Sequence, residues 1–252
     1  MGNALPFEQG TAPNRTNDLR ARVESLVSMK RRFPRTVPIS DEIDSALPFR
    51  GLPLGCVHEV QSRGFACGIT FASLLAARVP AAEGQLVYVA PDSGFHPLGL
   101  LPYGIPPERW VHVAVRNPLD LAWTVLEVLR CPRVSVVLAM IQRADLTLCR
   151  RFQLAAESSG ATGFLLTDPA AKPAIASVIT RWQITSIPAV ADATFEEPCW
   201  TIDLAYCRGG HPARWTAMWR ERRLKPISAP AIMTVPRPMQ REVFPATERL
   251  AV

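Results

Sequence analysis

A chain of 252 residues with 48% apolar and 20% charged side chains can bury one sizeable α/β core with terminal segments to spare. That excludes a disordered chain, and no run approaches the roughly 18 apolar residues of a membrane span. The net charge of +6 is uneven: residues 1–35 hold seven basic and three acidic side chains, 36–205 twelve and sixteen, and 206–252 nine and three.

Two basic ends flanking a mildly acidic middle suit a polyanion or an acidic protein partner, or act only as solubilising charge. The opening MGNALPFEQGTAPNR has no apolar signal core, so a cytoplasmic location is expected. Six cysteines and four histidines are scattered without C-x-x-C or H-x₃-H spacing. Reduced, packing cysteines are therefore expected, with no metal and no cofactor.

In chain order, residues 17–32 read as an amphipathic helix with Leu19, Val23, Leu26 and Val27 on one face and Lys30, Arg31 and Arg32 in its last turn. Phe33-Pro34 ends it, and residues 1–35 form a basic N-terminal helix and arm. A linker with a helical turn at Asp41–Leu47 follows. The core then alternates strands at 55–61, 85–90, 111–115, 134–140 and 163–167 with helices at 66–79, 119–129 and 145–157. That rhythm predicts a mostly parallel twisted sheet flanked by helices.

After Asp168 the helices stop, and 180–187, 200–207 and 214–220 read as strands. Trp200, Ile202, Leu204 and Tyr206 fall on one face of the second, and Trp215, Ala217 and Trp219 repeat the period of two. With Arg208-Gly209-Gly210-His211-Pro212 as the turn, 200–220 is an antiparallel hairpin extending the sheet. The core is bounded at 36–225. Five prolines from Pro226 onward mark 226–252 as an extended tail.

The stretch that organises the chain is Gly51 to Thr70, GLPLGCVHEVQSRGFACGIT, read as turn, strand, turn and helix start. That is the setting of a phosphate-binding loop, whose G-x-x-x-x-G-K-[ST] pattern needs a lysine and a hydroxyl after its second glycine. Here Gly64 and Gly68 are one residue too close, Ile69 stands at the lysine position, and no lysine occurs between Lys30 and Lys172. The degenerate loop comprises Ser62, Arg63, Gly64, Gly68 and Thr70, with Asp92 near the place of a water-activating acid. The strand that should end in a magnesium-binding carboxylate ends in Ala139-Met140. One carboxylate without a lysine or metal ligand cannot stabilise phosphoryl transfer, so no catalytic residue is assigned and no enzyme activity is expected. Asp92 reads rather as a loop or helix-cap residue. Cys67, near the helix start, reads as a packing residue.

Arg208, Arg214, Arg220, Arg222, Arg223 and Lys225 cluster near Trp215 and Trp219. Together with Lys30, Arg31 and Arg32 they are the candidate contacts to a partner or to single-stranded DNA, through phosphates and stacking. The alternative is that both tryptophans point into the core and only the charges are free.

The lead-in Gly51-Leu52-Pro53-x-Gly55 with Val60 resembles the RecA-type ATPase core. Tyr88-Val89-Ala90-Pro91, Leu138 to Ile141, Arg150-Arg151-x-Gln153 through Glu157, Gly163 to Leu166, and Cys207 to Gly210 with Pro212 and Trp215 narrow this to a resemblance to the ImuA family over residues 39–220. That resemblance implies a RecA-like core in an SOS-induced accessory factor of translesion synthesis. It would work with an ImuB-like inactive polymerase, an error-prone polymerase and RecA. A divergent RecA-fold ATPase and a SulA-type cell-division inhibitor are the alternatives.

Overall fold

The structure, a computed structural model, describes residues 24, 27, 28, 31–63, 66–80, 84–91, 97–141, 145–169, 178–189, 194, 197–221 and 223–227. Lys30, Gly64, Asp92, Arg222, the tail beyond 227 and most of the predicted N-terminal helix lie outside the described residues.

A two-stranded ribbon, β1 (Thr36–Val37) with β2 (Leu52–Pro53), brackets the short helix α1 (Asp41–Ala46). The Ser40 side chain accepts from the Ile43 amide at its start, and Asp44 reaches back to accept from the Ile39 amide at 3.0 Å. At the base of this ribbon Gly51 has φ +148°, and a Cβ there would lie 2.9 Å from the Val37 carbonyl oxygen. The turn requires glycine on both counts.

The main sheet has nine strands: β3 (Val57–Gln61), β4 (Gln85–Ala90), β5 (Trp110–Ala114), β6 (Val134–Met140), β7 (Thr162–Thr167), β8 (Thr180–Ile187), β9 (Cys199–Cys207), β10 (Ala213–Arg220) and β11 (Arg223–Pro226). Their order is β11-β10-β9-β8-β3-β7-β6-β4-β5. Every pair from β8 to β5 is parallel; β8–β9, β9–β10 and β10–β11 are antiparallel.

The predicted α/β architecture and C-terminal hairpin are thus what the molecule has. Strand β3 lies at the centre because β7 and β8 both pair with it, which carries Ser62 and Arg63 after it to the middle of the sheet's carboxyl edge.

Three further helices make the crossovers: α2 (Ala66–Ala76), α3 (Pro118–Arg130) and α4 (Leu146–Ser159). Their starts follow the sequence. Asn117 caps α3 by accepting from the Leu119 amide, with Pro118 in the first turn, and Asp145 caps α4 by accepting from the Leu148 amide at 2.7 Å. Helix α4 ends at Gly160 in the left-handed region, φ +82°.

Helix α2 and residues 37–54 cover one face of the sheet, burying Ile43, Leu52, Phe71, Leu75, Trp182 and Trp200. Helices α3 and α4 cover the other, burying Val57, Val125, Leu129, Phe152 and Leu165. Among the described residues no helix is long and apolar enough to cross a membrane.

Three differences from the sequence reading have physical causes. Tyr206 does not join Trp200, Ile202 and Leu204: it packs on the α3–α4 side. The ladder between β8 and β9 slips at Arg181/Trp182, so Arg181 faces Tyr206 while Trp182 faces Leu204. The extra residue in β9 reverses the alternation beyond it.

Arg223–Pro226, read partly as tail, is a strand on β10, and the Ile227 amide still donates to the Thr216 carbonyl at 2.9 Å. Proline is tolerated there because β11 is an edge strand. Finally, Phe33 is 3% exposed and packs edge-on against Phe49, in a cluster with Cys56 and Ile179. The end of the predicted arm is therefore part of the core.

Candidate functional site

The start of α2 occupies the position of a phosphate loop, directly after central strand β3. The first amides of a helix have no intrahelical acceptor, and in a nucleotide site an anion satisfies them. Here Ser62 does so for one of them: its buried hydroxyl accepts from the Gly68 amide at 3.2 Å. The approach is tight, since a Cβ on residue 68 would lie 2.4 Å from Ser62 Oγ. The Ser62 amide is held in turn by the Thr167 carbonyl at 3.2 Å.

Thr70, at the hydroxyl position of the motif, donates back to the Ala66 carbonyl at 3.0 Å. Ile69 packs against the core, Arg63 is exposed, and Cys67 donates to the Ile184 carbonyl. At the end of β6, Ala139 is buried and Met140 accepts from the Tyr88 hydroxyl. Beside them a pocket of about 270 Å³ is lined by Pro91, Arg116, Pro118, Leu121, Ala122, Met140 and Ile141.

Beneath the loop lies a polar network that the sequence reading missed. Glu59, in the middle of β3, pairs with Arg181 on β8 at 2.6 Å, both side chains 7% exposed. Glu59 also accepts from Thr167 at 2.9 Å and Gln61 at 3.1 Å, and Gln61 accepts from Gln183 at 3.0 Å. On the opposite face His58 is buried in a chain running Trp182 Nε1 to Thr180 Oγ1 to His58 Nδ1, each 2.7 Å. The far nitrogen, Nε2, donates to the Pro53 carbonyl at 2.9 Å. Burial pushes the imidazole down to about 4. His58 is thus a neutral core histidine. The available signal was His-Glu inside a central strand, where charge is tolerated only when paired.

The basic candidates are dispersed and partly neutralised. Arg214 forms a two-pronged pair with Asp203, Arg220 pairs with Glu197 at 2.7 and 2.9 Å, and Lys225 pairs with Glu221 at 2.5 Å. Hydrogen bonds from Arg220 hold the Glu197 carboxyl down at about 2. Arg223 is exposed on β11, and the Arg208 amide closes the turn after β9 onto the Ile179 carbonyl.

Trp215 packs near Trp182, ring centroids 6.5 Å apart, and Trp219 is 6% exposed. The alternation of β10 puts both indoles on the α2 side and Arg214 and Arg220 on the other, so the tryptophans take the core reading. Arg31 and Arg32 lie at the opposite end of the chain. Arg32 pairs with Glu157 of α4 at 2.5 Å, Glu157 accepts from Gln153 at 2.6 Å, and Gln153 accepts from the Val57 amide at 2.9 Å. This links the run Arg150–Glu157 to both the N-terminal segment and the central strand.

Compared with known proteins, the chain is 30% identical over 197 residues to Protein ImuA of Caulobacter vibrioides strain NA1000 / CB15N, covering 71% of this chain and 81% of that protein. The same figures hold for Protein ImuA of strain ATCC 19089 / CIP 103742 / CB 15. The chain belongs to the ImuA family. No protein-family model matches it. In this ImuA-family chain the Gly68 amide at the start of α2 is taken by the chain's own Ser62.

Proposed function

We propose that the protein is a non-catalytic RecA-like adaptor of a damage-induced mutagenic repair complex. In this reading it docks an ImuB-like inactive polymerase, with RecA and an error-prone polymerase as further protein partners, in translesion synthesis. Membership of the ImuA family supports the mutagenesis setting.

The observation that carries the non-catalytic part is the Ser62 hydroxyl on the Gly68 amide, with Ile69 in place of lysine and Ala139-Met140 in place of a carboxylate. Without a cation and metal ligand, developing charge on a transferring phosphoryl group has nothing to meet it. The parts of a RecA-like core that remain are its packing surfaces. The paired state of Arg214, Arg220 and Lys225 favours protein over single-stranded DNA as the occupant of the C-terminal region.

The test is magnesium-ATP turnover by the purified full chain, with and without single-stranded DNA. No turnover is expected, and Ile69→Lys alone should create none because the metal ligand is still missing. Turnover that disappears on substitution of Gly64 or Gly68 would overturn the assignment. Co-purification with an ImuB-like protein tests the adaptor role separately.

A further inference from the structure

The two edges of the nine-stranded sheet differ in kind. Strand β11 presents Arg223, Lys225 and Pro226, the charged and proline residues that discourage pairing at an edge. Strand β5 presents Trp110-Val111-His112-Val113-Ala114, five residues without a charge or a proline, and among the described residues no strand pairs on its outer side. Helix α3 packs over β4 and β6 rather than β5, which leaves Val111 45% exposed on that face. An exposed apolar edge of this kind is a template for strand addition.

We propose that β5 is a self-association edge, pairing antiparallel with β5 of a second copy about a two-fold axis through His112. The sequence is complementary to itself in that register. Trp110 falls opposite Ala114 of the partner subunit, large against small, and Val111 falls opposite Val113 of the partner subunit. Beyond the strand ends, the two-fold brings the 3-10 turn that holds Glu108 beside the end that holds Arg116 of the partner subunit.

Glu108 and Arg116 are exposed, and neither makes an ion pair among the described residues. The two-fold supplies each of these pairings twice, with His112 facing its own copy on the axis, as an isologous interface requires. The parity of the register also keeps Trp110, His112 and Ala114 of both copies on the α2 side, so each sheet face continues across the axis. Opposite charges facing each other across a pair favour it, and like charges would disfavour it.

Sedimentation equilibrium of the full-length protein over a concentration series tests this. The wild-type chain is expected to dimerise reversibly. Val111→Lys, at a position already exposed, should raise the dimer dissociation constant about tenfold or more with unchanged far-UV circular dichroism. Glu108→Arg and Arg116→Glu should each weaken the dimer, and the two together should restore it. A wild-type chain that stays monomeric, a dimer indifferent to Val111→Lys, or a double swap that fails to recover association would overturn the proposal.

Discussion

Gly68 and His58 are fixed by contacts specific enough to predict what substitution does. At Gly68 a methyl group meets Ser62 Oγ, so Gly68→Ala should lower stability by about 1–3 kcal/mol despite alanine's better helix propensity. Urea denaturation should show that cost shrinking in a Ser62→Ala background, where the nearest clashing atom is gone. Additive losses would mean the loop relaxes away from the helix.

His58 gives a pH signature. Its imidazole stays neutral in the fold down to about 4, whereas in the unfolded chain it takes a proton near its ordinary value of 6.5. The unfolded state therefore binds more protons across that window, and stability falls as pH drops from 6.5 toward 4. The limit is about 1.4 kcal/mol per pH unit, about 3 kcal/mol in all. His58→Gln, which keeps a donor for the Pro53 carbonyl, should flatten the profile of urea midpoint against pH in that range.

At the level of elements, strands β4 and β6 were legible to the residue because their apolar runs are bounded by turns, and β8 was legible from its β-branched and aromatic residues despite the buried Arg181 inside it. The helix read as starting at 145 begins at Leu146, with Asp145 as its cap. What escaped depends on neighbours. Tyr206 changes face through a slip against β8, and Pro226 belongs to a strand only because β10 offers an edge.

The candidate site was legible as a missing lysine and a missing carboxylate, but Ser62 as the amide's acceptor needed the fold of the turn. Glu59 and Arg181 are 122 residues apart in sequence and meet only because β8 returns beside β3. That pair fastens the parallel half of the sheet to its antiparallel extension at the junction. Removing one partner leaves a buried charge alone, so Glu59→Ala or Arg181→Ala should each cost about 3–5 kcal/mol by chemical denaturation. Replacing both with apolar residues of similar volume should cost far less. A small loss in either single variant would show that water reaches the pair and the junction is looser than its burial implies.

For the molecule as a whole, the question is where its core stops and its C-terminal tail begins. Strand β11 answers it at the C-terminal side. Leu224 is buried against the face that holds Trp219, and the ladder runs on to the Ile227 amide. A truncation after 227 removes a proline-rich sequence and keeps every residue named in this packing. Removing 228–252 should therefore leave the far-UV circular dichroism and the melting temperature nearly unchanged.

A truncation after Glu221 additionally strips β11 with its buried Leu224, uncovers Trp219, and should lower stability by at least the roughly 1.5–3 kcal/mol of one buried apolar side chain. The comparison separates folding from docking. If the tail is the partner-binding element, the shorter deletion should weaken co-purification with an ImuB-like protein as much as the longer one does, while only the longer one melts early. A proline-rich sequence suits that role because it loses less entropy on docking than a glycine-rich one. Partner capture that survives loss of 228–252 and fails only when β11 goes would place the contact on the folded sheet edge instead of the tail.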